Sequence, residues 1–385
     1  MRKEKKSEGF KKAVAGFSIV LVLGGILFFS FFLYKRGISK RYEKAVSLYQ
    51  EKIYAEALPL FVKLKETHRF NKHRINALYY SALAQTHVDN KQAKELWQEI
   101  LDLPEASPEW HAEALFNLGR IEYEAGNIDK AGEIFQRVIS AFPSTGEPFI
   151  RSLYYVGMIT EQGGLGSYLN ACSYYDQALA GLDDNSELAD AVKRRLGELN
   201  MELFLSPVQT PESEMYSVQP GDSLALIAQH FNTTVFVIKE SNRLTSNFIR
   251  PNDRLKVPVV NFSIVINKKK NTLTLLNDGK FFKLYDVGTG KYNKTPVGTF
   301  KIINKIAEPV WYKPDGGIIP YGDPDNLLGT HWMGINFPGY GIHGTWDEQS
   351  IGKQSSAGCV RLINSKVEEL FNILPLNTEV VITDN

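Results

Sequence analysis

The sequence predicts a multidomain chain: an N-terminal transmembrane helix, an all-α helical-repeat solenoid, a small βααβ module and a mainly-β C-terminal domain of barrel or sandwich type. Ala13 to Tyr34 is a run of 22 residues without a charge. Between residues 38 and 205, an alanine followed four residues later by an aromatic recurs at spacings of 36, 38 and 40. From Asn261 onward, short apolar or alternating runs are separated by turns rich in glycine and proline.

As a helix, the uncharged run reaches about 33 Å, enough to cross a hydrocarbon core of about 30 Å. The tail before it, residues 1–12, carries Arg2, Lys3, Lys5, Lys6, Lys11 and Lys12 against Glu4 and Glu8. The positive-inside rule keeps such a tail in the cytoplasm and sends everything after residue 34 outward. Lys35, Arg36, Lys40, Arg41 and Lys44, on the other flank, oppose that orientation. A cleaved signal peptide is the rival reading, but the run exceeds a usual h-region and no A-x-A-like site follows, so an uncleaved anchor is expected. A net charge of +1 gives no general attraction to nucleic acid. Two cysteines are too few for a disulfide framework.

The repeated alanines are Ala57, Ala93, Ala131 and Ala171, and the aromatics Phe61, Trp97, Phe135 and Tyr175. Leu60, Leu96, Ile134 and Tyr174 stand three after each alanine; Leu64, Ile100, Val138 and Ala178 stand seven after. Offsets of 0, 3, 4 and 7 make one apolar helix face. Ala45, Ser81 and Gly119 lie twelve before the first three alanines and Gly157 fourteen before the fourth, where close helix packing wants small side chains. The best copy, ALFNLGRIEYEAGNIDKAGEIFQRVISAFP, resembles the tetratricopeptide repeat at Leu118, Gly119, Ala131, Phe135 and Pro143; the other copies are degenerate. Such an array, assigned to residues 38–205, is either a rigid spacer or a concave docking surface for another protein.

A polar, proline-bearing linker, residues 206–214, leads to a module at 215–259. Its start alternates like a strand, Pro220-Gly221 turns the chain, and Ser223 can N-cap a helix with Leu224, Ile227, Ala228 and Phe231 on its apolar side. A second helix fits Thr234 to Ser241 and a closing strand Arg254 to Val257. The beginning Y-x-V-x-P-G-D-S-L and the ending N…I-x-P-N-D-x-L-x-V-P resemble the LysM domain. That resemblance implies binding to N-acetylglucosamine-containing glycans such as peptidoglycan, between the loop of Gly221, Asp222, Ser223 and Leu224 and that of Ile249, Pro251 and Asn252. Without the resemblance, Gly-Asp-Ser is equally turn and cap chemistry.

In the last domain, residues 261–385, Phe262 to Ile266 and Thr272 to Leu276 read as strands, Asn277-Asp278-Gly279-Lys280 as a hairpin turn and Phe281 to Val287 as the returning strand. Gly298 to Ile306 and Glu379 to Thr383 are further strands. One helix is expected, SKVEELFNIL, opened by a capping box of Ser365 and Glu368.

Cys359 lies here, in SSAGCVRL. A nucleophilic thiol needs a base, because a pKa of about 8.5 leaves little thiolate at neutral pH. His331 and His343 are the candidates, and His343 sits in the glycine-rich GYGIHGTWD, sixteen residues before the cysteine. Gly358 lets the chain approach a substrate closely. Arg361, two residues past the thiol, shares its face in an extended segment and suits a carboxylate. Nucleophile, base and anion clamp read together as acyl transfer on a substrate bearing a carboxylate. Taken alone, Cys359 would be an ordinary buried cysteine. A Cys172–Cys359 disulfide would have to join the repeats to the last domain. No H-E-x-x-H or C-x-x-C occurs, so no metal or other cofactor is expected.

The string H-G-T-x10-S-A-G-C-V-R-L, preceded by TPVGTF at Thr295 to Phe300, resembles the YkuD-type L,D-transpeptidase catalytic domain. The resemblance implies a β-sandwich-like fold and a thioester acyl-enzyme on a peptidoglycan stem tetrapeptide. It implies Cys359 as nucleophile, His343 as general base and later acid, and the Gly344 carbonyl as orienter of the imidazole. It places Arg361, Ser356 and Gly358 along the substrate pocket. Many family members have a histidine where this chain has Ala357, so His343 alone must carry the proton. The expected protein is a single-pass inner-membrane L,D-transpeptidase, its catalytic part facing the periplasm or wall, that cross-links peptidoglycan. An L,D-carboxypeptidase using the same acyl-enzyme and a non-catalytic wall-binding scaffold are the alternatives.

Overall fold

The computed structural model describes residues 2–67, 71–143, 146–313 and 316–384, with side chains from residue 23 onward. It divides into two compact units, Met1–Tyr155 and Val156–Asn385. The first unit holds α1 (Arg2–Gln50), α2 (Tyr54–Glu66), α3 (Arg74–Thr86), α4 (Asn90–Leu101), α5 (Pro108–Glu124), α6 (Ile128–Ala141) and the beginning of α7 (Glu147–Glu161). Ala57, Ala93 and Ala131 and their aromatic partners Phe61, Trp97 and Phe135 are all fully buried. The small residue twelve before the alanine earns its place by contact: a Cβ on Gly119 would stand 2.7 Å from the Phe135 ring. Helix starts follow local chemistry, with Asp89 capping α4 through Lys91 N (2.8 Å) and Ser107 capping α5 through Trp110 N (3.3 Å).

The anchor expected at residues 13–34 falls within α1, but its side chains up to residue 22 lie outside the described residues. Among the described residues no helix is long and apolar enough to cross a membrane. The transmembrane helix of the expected fold is therefore not part of the architecture the structure establishes.

The second unit begins with the end of α7, then α8 (Tyr168–Ala180) and α9 (Glu187–Phe204). The fourth repeat keeps the pattern, since a Cβ on Gly157 would stand 2.6 Å from the Tyr175 ring. Next comes the βααβ module: β1 (Ser213–Ser217), α10 (Leu224–His230), α11 (Val235–Ser241) and β2 (Arg254–Pro258), with β1 and β2 antiparallel. Ser223 and Thr234 cap the two helices. The Lys256 ammonium, buried in β2, donates to the carbonyls of Leu203 (2.9 Å) and Ser206 (2.7 Å) at the end of α9. A cation at a helix C-terminus meets unpaired carbonyls and the negative end of the dipole. Burial lowers this ammonium to about 8.

The last domain comprises β3 (Phe262–Asn267), β4 (Thr272–Asn277), β5 (Lys280–Asp286), β6 (Thr289–Gly290), β7 (Gly298–Ala307), β8 (Trp311–Tyr312), β9 (Ile318–Ile319), β10 (His331–Ile335), β11 (Gly341–His343), β12 (Gln354–Ser356), β13 (Val360–Arg361), α12 (Asn364–Ile373) and β14 (Glu379–Thr383). The β4–β5 turn has Asp278 at φ 48° and Gly279 at φ 75°, the left-handed pair that a two-residue hairpin requires. Of the barrel or sandwich expected, the mainly-β class holds, but eight strands form one sheet rather than two stacked ones, in the order β13-β11-β10-β7-β14-β3-β4-β5. It curls until its ends meet, for Gly288, just past β5, exchanges two backbone hydrogen bonds of 2.8 Å with Arg361 of β13. One sheet replaces two stacked ones because a twisted sheet of this many strands curls, while the single bridge past β5 leaves the outer edge of β5 itself without a partner strand among the described residues.

Ile264, Ile266, Leu273, Leu275, Val380 and Ile382 meet Val367, Leu370 and Ile373 of α12 in a single apolar core, which Met201 and Phe204 of α9 and Val237 of α11 also join. Helix α9 lies on β5: Asn200 Nδ2 donates to the Phe282 carbonyl (2.9 Å), and Arg194 pairs with both carboxylate oxygens of Asp286 (2.8 and 2.9 Å). Gly197 permits the approach, its missing Cβ lying 3.0 Å from Lys283 Cα. The Lys283 ammonium is buried between Glu198 (3.0 Å) and Glu369 (2.9 Å). Helix α12 starts one residue before the expected capping box. Ile363 is the N-cap, without a side-chain hydrogen bond, so Ser365 lies inside the helix. The Ile363 carbonyl accepts from Lys366 N and Val367 N, while the Asn364 side chain is drawn off to Thr330.

Candidate active site

His343 ends β11, a strand flanked by β10 on one side and β13 on the other. The registers Trp332↔His343 and His343↔Arg361 set three side chains in one row across three strands. Cys359 immediately precedes β13, two residues before Arg361, and thus belongs to the same face, opposite Gly341. The structure brings Cys359, His343, Gly344 and Arg361 together, while His331, the other candidate base, packs against Phe371 with its Nδ1 on Thr330 Oγ1 (3.0 Å).

The His343 ring is 3% exposed, and its Nδ1 lies 2.7 Å from the Gly344 carbonyl. A carbonyl can only accept, so Nδ1 carries the hydrogen and Nε2 is left as the basic nitrogen, a tautomer assigned from that bond. Burial lowers the imidazole to about 4; Arg361 adds to this, and the carbonyls of Gly344 and Leu328 oppose it. The Trp332 indole stacks on the ring, centroids 5.8 Å apart and planes at 23°, and is itself held by Nε1 on Asn304 Oδ1 (3.1 Å).

Cys359 is half-buried and free, its Sγ 3.6 Å from the Gly339 carbonyl. Burial pushes the thiol up, while the Gly341 amide and Arg361 favour the thiolate. Burial thus pushes both the thiol and the imidazole toward their neutral forms. Arg361 has no carboxylate partner among the described residues, and its Nε is buried without an acceptor. A guanidinium kept in that condition is ready for an anion from outside.

The loop before the thiol is braced by groups of two kinds. Ser356, 2% exposed, donates from Oγ to the Cys359 carbonyl (2.6 Å) and accepts from Gly358 N (3.0 Å), so its hydroxyl shapes the loop rather than facing a ligand. Gly358 has φ +147°, and a Cβ there would stand 2.6 Å from the Tyr340 ring. Thr295, of the TPVGTF stretch, donates to the Gly358 carbonyl (2.7 Å) and accepts from Gly290 N (2.8 Å). Sequence reasoning missed Thr295 as a brace, and missed Trp332 and Tyr340 altogether. Only their register and packing reveal them. Ala357 is exposed beside the thiol.

In the βααβ module the two predicted loops are adjacent, because Val218 N donates to Asp253 O (2.9 Å) and Asn252 N to Val218 O (2.8 Å). Gly221 and Asn252 take positive φ, and Gly221, Ser223, Pro251 and Asn252 are exposed. Asp222 braces its loop by accepting from Tyr216 OH and Gln219 N, both 2.7 Å, whereas Leu224 and Ile249 belong to the module's core. Phe248, 71% exposed under the Arg250 guanidinium, joins this surface unforeseen. Among the described residues no group of His, Cys, Asp and Glu could hold a metal.

Three family models match the chain: the L,D-transpeptidase catalytic domain over residues 261–382, the LysM domain over 216–258 and the tetratricopeptide repeat over 113–145. The putative L,D-transpeptidase YqjB of Bacillus subtilis (strain 168) is 41% identical over 128 residues, 32% of this chain and 71% of that one. The putative L,D-transpeptidase YkuD of Bacillus licheniformis is 32% identical over 177 residues, 44% of this chain and 98% of that one. Among solved structures, the catalytic domain of the E. faecium L,D-transpeptidase aligns at 25% identity and a TM-score of 0.27, covering 32% of this chain and 96% of its own. With 41% identity across more than two thirds of one relative and 32% across nearly all of another, the chain belongs to the L,D-transpeptidase family.

Proposed function

We propose that this chain is a cysteine-dependent peptidoglycan L,D-transpeptidase, working through a thioester on stem tetrapeptides. The observation that supports it most is the row of β10, β11 and β13, where His343, its Nδ1–H bonded to Gly344, stands on the same face as Cys359 and Arg361. Arg361 holds a carboxylate of the donor stem. His343 Nε2 takes the thiol proton as Sγ attacks the carbonyl of the third stem residue. Neutral partners suit this, because charge then develops only as the bond forms. The imidazolium returns its proton to the amine of the terminal D-alanine, which leaves, and the thioester remains. An acceptor amine attacks the thioester, gives its surplus proton to His343, and the thiol is regenerated as the cross-link closes. Ala357 offers no second proton carrier, so one imidazole serves both halves.

Incubating the full-length chain with disaccharide tetrapeptide tests this by mass spectrometry. A dimeric product and a Cys359 adduct are expected; neither adduct nor dimer would overturn the reading. Tripeptide monomer alone would mean that water is the acceptor.

Anchoring in the cytoplasmic membrane, with the catalytic part outside, belongs to the same proposal. It is supported by the uncharged run at 13–34 and by the apolar side chains of Leu27, Phe28 and Phe29, 71%, 72% and 61% exposed on α1. Retention in the membrane pellet after alkaline carbonate extraction is expected, and release would exclude it. The exposed loop pair of the βααβ module supports glycan binding by the LysM domain, tested by co-sedimentation with purified sacculi. A role for the repeats as a protein-docking face rests on their architecture alone.

A further inference from the structure

We infer that Asn364 is the positioning residue of the base, fixing through Gly344 the tautomer and orientation of His343; the inference rests on His343 being that base. Asn364 is the first residue of α12, whose Val367, Leu370 and Ile373 are anchored in the core. Its Oδ1 accepts from Thr330 N (3.1 Å), with Thr330 Oγ1 at 3.5 Å. The same oxygen fills the hollow left by two glycines. A Cβ on Gly344 or on Gly329 would overlap Asn364 Oδ1, and one on Gly329 would also strike Gly344 itself. Val367 Cγ1 closes the hollow from behind, 3.2 Å from the place of the Gly344 Cβ.

Gly344 is thereby held at two points. Its N–H donates to the His331 carbonyl (3.1 Å), on the segment that Asn364 ties down at Thr330, and its Cα leans on the amide oxygen. The carbonyl that follows these supports is the one that receives His343 Nδ1–H at 2.7 Å. A glycine has two soft torsions and no Cβ to limit them, so an unsupported Gly344 could turn its carbonyl away. The imidazole would then lose the partner that keeps its hydrogen on Nδ1 and its Nε2 free. The two glycines and the amide act as one interlocked unit, and only the amide can be removed without crowding the others.

The test uses the full-length chain and compares wild type, Asn364→Ala, Asn364→Asp and His343→Ala. Two readouts are taken: the pH profile of Cys359 alkylation by iodoacetamide, followed by intact mass, and the KM and kcat for disaccharide tetrapeptide. Losing a half-buried acceptor that orients the base is expected to lower kcat of Asn364→Ala by roughly tenfold or more with KM little changed. Its alkylation profile should move toward that of His343→Ala, and Asn364→Asp, which keeps the acceptor, should restore kcat to within a few-fold. An Asn364→Ala profile and kcat equal to wild type, with only thermal stability lost, would overturn the positioning role. So would an Asn364→Asp enzyme as slow as Asn364→Ala. A His343→Ala profile identical to wild type would instead sink the assignment of His343 as base.

Discussion

Acid should weaken the C-terminal domain through His343. Burial holds this imidazole at about 4, against an ordinary value of 6.5. A group that binds its proton less readily folded than unfolded stabilises the fold fully above its unfolded pKa. That stability drains away as the pH falls from about 6.5 to about 4. A gap of about 2.5 units at ~1.4 kcal/mol per unit amounts to roughly 3 kcal/mol, and a ring 3% exposed leaves little solvent screening to discount. Urea denaturation of the full-length chain at about pH 7.5 and about pH 4.5, followed by the fluorescence of Trp332 and its fellows, measures the loss. His343→Gln provides the reference, because it cannot titrate while its amide can still donate to Gly344, and the carboxylates that titrate in the same window cancel in the comparison. Wild type should lose about 2–3 kcal/mol more than the variant between the two conditions. Equal losses would refute the claim that His343 is held neutral by burial.

Gly358→Ala should slow acylation of Cys359 at least tenfold by intact-mass kinetics, since the new methyl meets the Tyr340 ring 2.6 Å away at a backbone angle that favours glycine; unaltered kinetics would show that the loop has slack. Gly119→Ala gains about 1 kcal/mol of helix propensity but forces a Cβ to 2.7 Å from the fully buried Phe135 ring, an overpacking cost of about 1–3 kcal/mol. Net destabilisation is expected in a thermal melt, and a raised midpoint would contradict it. Lys283→Met leaves Glu198 and Glu369 without their buried cation. Both carboxylates keep some solvent, so the loss in urea titration should be about 2–3 kcal/mol, at or below the range for a fully buried broken pair.

The repeats were legible because each is a local hairpin: the alanine and aromatic positions share a helix face, and the glycine that faces Phe135 lies only sixteen residues away. The long strands β3, β4, β5, β7 and β14 were likewise visible by alternation and by the Asp278-Gly279 turn. Strands of two or three residues, such as β11 and β13, are too short to have a period, yet they carry the site. The start of α12 was misplaced because its Ser365 and Glu368 looked locally ideal while Asn364 had a stronger tertiary engagement with Thr330. The curl of the sheet was invisible for the same reason, since Gly288 and Arg361 are distant in sequence. The burial of Lys283 has no local signal, because its partner Glu198 stands eighty-five positions away. Cys359 and His343 could be paired from residue chemistry, but the push of both groups toward their neutral forms comes from burial, which no motif contains.

A sheet with an uncovered outer strand can recruit further strands from neighbouring molecules. In this chain the outer strand β5 has α9 laid along it, with the Asn200 amide occupying the Phe282 carbonyl and Arg194 bound to Asp286. The last repeat helix is therefore a guard as well as a wall. Cutting the protein at Asn261 to isolate the catalytic residues would bare a hydrogen-bonding edge together with Phe282, and the expected fate of such a fragment is self-association rather than simple loss of activity.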